Sequence, residues 1–241
     1  MCVFKHAEFD NHESLHYFHD EKSGLQAIVA VHSTALGPAA GGTRRWVYNT
    51  DADALTDVLR LSRGMTYKNA VAGLKFGGGK AVILANDSAP KSPELFRAFG
   101  RFIGSLGGRY VTAEDVGCSV DDMRYVRDET EFVSGLPQRS GDAGGDASPW
   151  TALGCHQGIE AALPGRLGAD SLNGTKVAVQ GVGHVGVHLC RMRHEAGAAL
   201  FLSDVTGDNL KMTTDDVPAT VVKPTDLLCA DVDVLAPCAL G

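Results

Sequence analysis

The chain has 241 residues, with 22 Lys and Arg against 29 Asp and Glu, for a formal net charge of −7. That balance argues against a nucleic-acid binder, which needs a basic face to neutralise phosphates. Hydrophobic residues at 44% and charged residues at 21% supply a core and exclude general disorder.

No stretch approaches the roughly 18 to 20 consecutive apolar residues of a membrane span. No apolar run flanked by a basic segment opens the chain, so no secretory signal is read there. The six cysteines are scattered without a C-x-x-C pair, which suits reduced thiols in a cytoplasmic protein.

Residues 25–32 (LQAIVAVH) are a nearly continuous apolar, β-branched run, which predicts a strand covered on both faces. Residues 36–44 (LGPAAGGTR) read as an irregular loop. From Asp51 to about Met65, the positions Leu55, Val58, Leu59, Ser62 and Met65 keep helical spacing. Gly73 to Gly79 break the chain again, and residues 80–84 predict a short strand.

Ser92 is a natural N-cap, Pro93 suits the first helical position, and Leu95, Phe96, Phe99, Phe102, Ile103 and Leu106 form one stripe. Gly107 and Gly108 stop that helix. Residues 109–113 predict a strand, and Ser119 to Asp122 opens a helix with a capping box. Alternation of this kind predicts an α/β domain.

Residues 134–149 (SGLPQRSGDAGGDASP) are almost devoid of apolar side chains and read as a linker. The expected division is a first domain over 1–134, a hinge over 135–149 beside a cleft, and a second domain over 150–241. The second part predicts a helix near 151–162, a strand over 176–180, a helix ending near Glu195, and a strand over 199–203.

Gly181-Val182-Gly183-His184-Val185-Gly186 matches G-x-G-x-x-G. The match alone is weak, but it follows a predicted strand, opens a helix, and precedes Asp204, which lies roughly 20 residues further on. Gly181 permits the tight turn, Gly183 removes the Cβ that would meet a pyrophosphate, and Gly186 lets helix and strand close up. The helix amides then hold the phosphate charge. A carboxylate at Asp204 would accept ribose hydroxyls and repel a 2′-phosphate, which predicts NAD rather than NADP. The alternative is a glycine-rich turn that binds nothing. His184 and His188 have a spacing that can bind a metal, but no H-E-x-x-H pattern completes it, and no metal is expected.

Lys68 shares a helical face with Leu61 and Met65, so an ammonium group sits on an apolar stripe; taken alone it reads sooner as a lysine snorkelling to water at the helix end. The run Gly73 to Lys80 resembles a phosphate loop but lacks its first glycine, and Ala81 replaces the Ser or Thr that holds magnesium. What remains is Lys80 at the mouth of a buried strand, on the face of Val82 and Leu84. Burial and a second nearby cation would both lower its pKa, allowing it to act as a base. Asp115 follows the C-terminal end of a predicted strand, where ligands sit in open α/β sheets; it could equally cap the next turn.

Together the motifs LGPAAGGTR (36–44), RGMTYKNAVAGL (63–74), GGGKAVI (77–83), TAEDVG (112–117), SPWTALG (148–154), VAVQGVGHVG (177–186) and APCALG (236–241) resemble the Glu/Leu/Phe/Val dehydrogenase family, leucine dehydrogenases most. The resemblance implies two α/β domains, the first a substrate and oligomerisation domain and the second an incomplete Rossmann NAD-binding domain. It implies an enzyme that oxidises an L-amino acid to a 2-oxo acid and ammonia with NAD.

Carried over by motif, Lys68 would bind the substrate carboxylate, with Gly41, Gly42 and Met65 near the substrate. Lys80 would activate the attacking water, and Asp115 would shuttle protons to and from the amino group. The cofactor set would be Gly181, Val182, Gly183, His184, Val185, Gly186, Asp204 and Thr151. A charge on Lys68 would favour deprotonated Lys80. The resemblance also implies a small-molecule substrate, a homo-oligomer, and neither nucleic acid nor membrane as partner.

Two departures stand out. Relatives continue beyond APCALG, so the chain reads as C-terminally truncated, with an inactive NAD-binding or oligomerising remnant as the alternative to an active enzyme. Cys118 stands where relatives carry a small hydroxyl residue. Another two-domain Rossmann enzyme, such as a folate-linked dehydrogenase, is opposed by the paired lysine motifs. Leucine, valine, phenylalanine and tryptophan all stay open as substrates, because one methylene discriminates by only about 1–3 kcal/mol.

Overall fold

The structure is a computed structural model describing residues 3–86, 90–137 and 144–239. Part of the expected hinge (138–143) and the last two residues of the APCALG motif (240–241) lie outside the described residues. The chain divides into two units, Met1–Asp146 and Ala147–Gly241.

In the first unit, β1 (Ser14–Asp20), β2 (Leu25–Ser33), β3 (Ala39–Ala40), β4 (Thr43–Trp46), β5 (Gly77–Leu84) and β6 (Tyr110–Val111) form one sheet. Its order is β1-β2-β5-β3-β6, with β4 also pairing β5. The β1–β2 and β2–β5 pairs are antiparallel; β3 and β4 run parallel to β5, and β3 parallel to β6.

Strand β2 is buried on both faces because its alternate residues serve two cores. Ile28 and Ala30 meet Ala54 and Val58 of α1 (Asp51–Val71) together with Val82 of β5. Leu25, Ala27, Val29 and Val31 instead join Leu95, Phe96, Phe99 and Ile103 of α2 (Pro93–Ser105) and Met123 and Val126 of α3 (Val120–Arg127). Capping holds all three helices in place: Thr50 with Asp53 and Ser119 with Asp122 are capping boxes, and Ser92 accepts from the Leu95 amide ahead of Pro93.

Several expected boundaries move. Residues 36–44 are not one loop: β3 and the start of β4 lie within them, separated by Gly41 and Gly42. Strands of two and four residues are too short to show an alternating pattern, so nothing marked them. The glycine run at 77–79 is strand interior, not a break, because β5 begins at Gly77. Helix α1 continues to Val71, beyond Met65. The strand expected over 109–113 is only β6, extended by an isolated bridge from Thr112 to Val133. Strand β1, with two His and one Asp among seven residues, gave no apolar run to read.

The second unit holds β7 (Lys176–Gln180), β8 (Ala199–Ser203), β9 (Thr220–Val221) and β10 (Val234–Pro237) in the order β10-β7-β8-β9, all parallel. Numbered from β7 and read from β9, the order is 3-2-1-4, the first four strands of a doubly wound sheet ordered 3-2-1-4-5-6. Helices α4 (Ser148–Leu167), α5 (His184–Glu195), α6 (Gly207–Asp216) and α7 (Pro224–Leu227) complete it. Its core joins Val177, Val179, Leu200 and Leu202 to Ala152 and Leu163 of α4 and Leu189 of α5. Helix α4 outruns its expected end near 162 and passes through Pro164 before stopping at Gly168, whose φ is 64°. Among the described residues no helix is long and apolar enough to cross a membrane.

A Cβ on Gly78 would overlap the Thr66 backbone nitrogen and hydroxyl of α1, whereas one on Gly64, exposed in the same helix, would meet nothing within 4 Å. Gly78→Ala is therefore expected to cost about 1–3 kcal/mol by forcing helix and strand apart. Gly64→Ala should instead stabilise by about 0.5–1 kcal/mol. Urea unfolding midpoints of the two variants check the opposite signs.

Candidate functional site

The second strand-face residue of β5's polar end is Lys80, 5% exposed on the α1 side of the sheet. Its Nζ lies 3.2 Å from Oδ2 of Asp115, in the loop after β6. The two meet because the backbone around them carries no side chains. A Cβ on Gly41 would overlap the Gly79 carbonyl oxygen and lie 3.1 Å from Cγ of Met65. One on Gly42 would overlap the Glu114 carbonyl and lie 2.9 Å from Cβ of Asp115. Gly41, Gly42, Met65, Lys80 and Asp115 are thus brought together, as the motifs suggested. Tyr110, fully buried, donates its hydroxyl to the Gly41 carbonyl at 2.5 Å and fixes that corner.

Three further residues complete the charge pattern. Arg44 donates from Nε to Asp115 at 3.4 Å and from Nη1 to both oxygens of Asp57 at 3.1 and 2.9 Å. Tyr48 donates its hydroxyl to Asp57 at 2.7 Å. The sequence offered one signal for Arg44, its place at the end of LGPAAGGTR, and none for Asp57 or Tyr48.

Burial lowers the Lys80 amine below the ordinary lysine value; the Asp115 charge and hydrogen bond oppose this, Arg44 adds to it, and Asp57 opposes it. Burial works to raise the Asp115 carboxyl. The Lys80 charge and hydrogen bond, the Arg44 charge and the Val116 amide outweigh it and hold the group below the ordinary aspartate range.

Lys68, in the last turn of α1, is exposed and makes no ion pair among the described residues. The neighbouring cation that lowers Lys80 is therefore Arg44, in the place where the sequence pointed to Lys68. Burial pushes the Cys118 thiol up to about 12, so it stays protonated beside this group.

In the second unit, Gly181 has a φ of 86°, and a Cβ on Gly186 would overlap the Gly181 carbonyl oxygen. These two glycines serve the turn and the helix–strand contact. A Cβ on Gly183 would meet nothing within 4 Å, so the space in front of it is open. Gly183 caps α5 without a side-chain hydrogen bond, leaving the first amides at His184 and Val185 to another acceptor. Asp204 accepts from the Val182 amide at 2.8 Å and the Thr206 amide at 2.7 Å, which pins its carboxylate beside the turn with lone pairs to spare. An open glycine, uncapped helix amides and a fixed carboxylate fit a dinucleotide. Thr151 lies in the first turn of α4, its hydroxyl donating to the Ala147 carbonyl at 3.0 Å; the adjacent Ala152 packs in one core with Val182 of the fingerprint.

Residues 12–132 match the family described as Glu/Leu/Phe/Val dehydrogenase, dimerisation domain. The leucine dehydrogenase of Bacillus subtilis (strain 168) is 49% identical over 241 residues, covering 100% of this chain and 66% of that protein. The chain thus spans just under two thirds of that relative's length. The crystal structure of L-tryptophan dehydrogenase from Nostoc punctiforme is 45% identical with a TM-score of 0.69, over 96% of this chain and 65% of that one. A hetero-hexameric glutamate dehydrogenase from Thermus thermophilus, in a Leu-bound form, has a TM-score of 0.76 at 24% identity, over 95% of this chain and 62% of that one. This last likeness speaks for the fold alone.

Asp204→Ala leaves the Val182 and Thr206 amides without their acceptor, at an expected cost of about 1–3 kcal/mol. Both amides should exchange with solvent faster, and Asp204→Asn, which keeps an acceptor oxygen, should restore one of them. Hydrogen exchange at these two positions measures the effect.

Proposed function

The chain belongs to the Glu/Leu/Phe/Val dehydrogenase family, and from that premise we propose that it serves the oxidative deamination of an L-amino acid to its 2-oxo acid and ammonia, with NAD as oxidant. The observation that carries this reading is the buried pair of Lys80 and Asp115 at 3.2 Å. An amine held below its ordinary pKa beside a carboxylate is what proton handling at a substrate amino group requires. Relatives named for leucine and tryptophan leave an apolar L-amino acid as the substrate class.

Lys68 would hold the substrate carboxylate through its free ammonium, with Gly41, Gly42 and Met65 against the substrate. NAD, when bound, supplies the hydride acceptor. Gly181, Val182, Gly183, His184, Val185 and Gly186 would hold its pyrophosphate through backbone amides, and Asp204 its adenosine ribose; Thr151 is carried over by motif alone. Asp115 would take a proton from the substrate ammonium, leaving an amine able to become an iminium ion. Lys80 in its neutral form would remove a proton from the water attacking the iminium carbon. Asp115 would return a proton to nitrogen so that ammonia can leave. A homo-oligomer in the cytoplasm, with neither nucleic acid nor membrane as partner, belongs to the same proposal.

Because Lys80 must be neutral to accept the water proton, the rate should rise with pH through its lowered folded-state pKa, below the ordinary lysine value. Lys80→Ala should lose about 10²–10⁴-fold or more in turnover, read as reduced-nicotinamide absorbance with L-leucine and NAD, while NAD binding by titration survives. Undiminished turnover in this variant would remove Lys80 from its role. A panel of L-amino acids then ranks the substrates.

A further inference from the structure

The proton-handling pair does not stand alone. Arg44 of β4 lies between two carboxylates, donating to Asp115 at 3.4 Å and to both oxygens of Asp57 at 3.1 and 2.9 Å. Asp57 is fixed in turn by the Tyr48 hydroxyl at 2.7 Å. All four charged side chains are largely enclosed, with exposures of 6% for Lys80, 19% for Arg44, 25% for Asp57 and 28% for Asp115. The signs alternate along the line Asp57, Arg44, Asp115, Lys80, so each inner group is flanked by opposites.

We propose that Arg44 is a positioning residue: clamped by Asp57 and Tyr48, it orients the Asp115 carboxylate against Lys80 and governs the charge under which Lys80 gives up its proton. This rests on the reading of Lys80 and Asp115 as the proton-handling pair.

The fork of a guanidinium is suited to this task. Nη1 is committed to both oxygens of Asp57, which fixes the plane and leaves Nε aimed at Asp115. Lys80 and Arg44 share Oδ2 of Asp115, and the Val116 amide is a further partner of the carboxylate.

The remaining titratable neighbours stay out of the balance. Burial, then the Asp57 hydrogen bond and charge, push the Tyr48 phenol up. Burial likewise raises Tyr110, and pushes the Cys118 thiol up to about 12. All three remain neutral near pH 7, so the field at Lys80 comes from Asp115, Arg44 and Asp57.

That field gives a test with two signs. Removing the Arg44 charge takes away a neighbour that disfavours Lys80 as a cation, so Lys80 should titrate higher. Removing the Asp57 charge takes away a neighbour that favours it, so Lys80 should titrate lower. The titration is read by NMR on the whole chain carrying lysine labelled with ¹³C at Cε, the Lys80 signal being assigned with Lys80→Arg.

Arg44→Gln should raise the midpoint by about one pH unit and Asp57→Asn should lower it by a similar amount, while Arg44→Lys returns most of the shift. Midpoints that stay in place, or move the same way in both variants, overturn the proposal. Should Arg44→Gln fail to fold, Asp57→Asn decides alone: a fall supports the clamp, and no change or a rise overturns it.

The same variants are assayed with NAD and L-leucine. An inactive wild-type chain whose titrations still move in opposite directions keeps the clamp and sinks the dehydrogenase reading. An active chain whose titrations do not move keeps that reading and sinks the clamp.

Discussion

A lysine amine withdrawn from water is costly to keep charged unless a carboxylate meets it. Lys80 is 6% exposed and is met by Asp115 at 3.2 Å. Most of the first unit's local architecture follows from accommodating that pair. Strand β5 must be covered on the Lys80 face, which α1 does. Asp115 reaches the same point from the loop after β6, with β3 running parallel beside β5 and β6 parallel beside β3. A second cation, Arg44, approaches Asp115 as well, and Asp57 offsets its charge. The assembly is neutral in sum yet polarised locally, so a small change in any one member is felt at the amine.

Glycine makes the approach possible. Gly41 lies against the Gly79 carbonyl, Gly42 against Glu114, and Gly78 against the Thr66 backbone. At each of these contacts main chain meets main chain. Asn69 adds a buried hydrogen bond from its side-chain amide to the Gly77 carbonyl at 2.6 Å, fastening α1 to β5 at the same level. The result is a floor built from backbone, on which few side chains stand: Lys80, Asp115 and Met65.

Much of this was legible in the residues. The apolar run at 25–32, the helix marked by Ser92 and Pro93, and the strand–turn–helix around Gly181 depend on local chemistry, and each stands where its pattern put it. Lys80 and Asp115 were also readable, as polar residues at the ends of buried strands. The failures share one cause. Strands β3 and β4 are short, and the run Gly77 to Gly79 has no side chains with which to show a period. Their conformation is imposed by neighbours far along the chain. Arg44, Asp57 and Tyr48 escaped for a related reason: each is unremarkable in its own segment and acquires meaning only when β4 and α1 bring them to Asp115. The expectation of Lys68 as the second cation came from the motif resemblance, but Lys68 is exposed, and a charge in water is screened more than one at the largely enclosed Arg44.

The glycine contacts around Lys80 also restrict how such a protein can change. Where main chain abuts main chain, no substitution can widen, narrow or recolour the surface without pushing the strands apart. Evolution can therefore vary this region only through side chains standing away from the floor. Relatives named for leucine and for tryptophan stand at 49% and 45% identity to this chain.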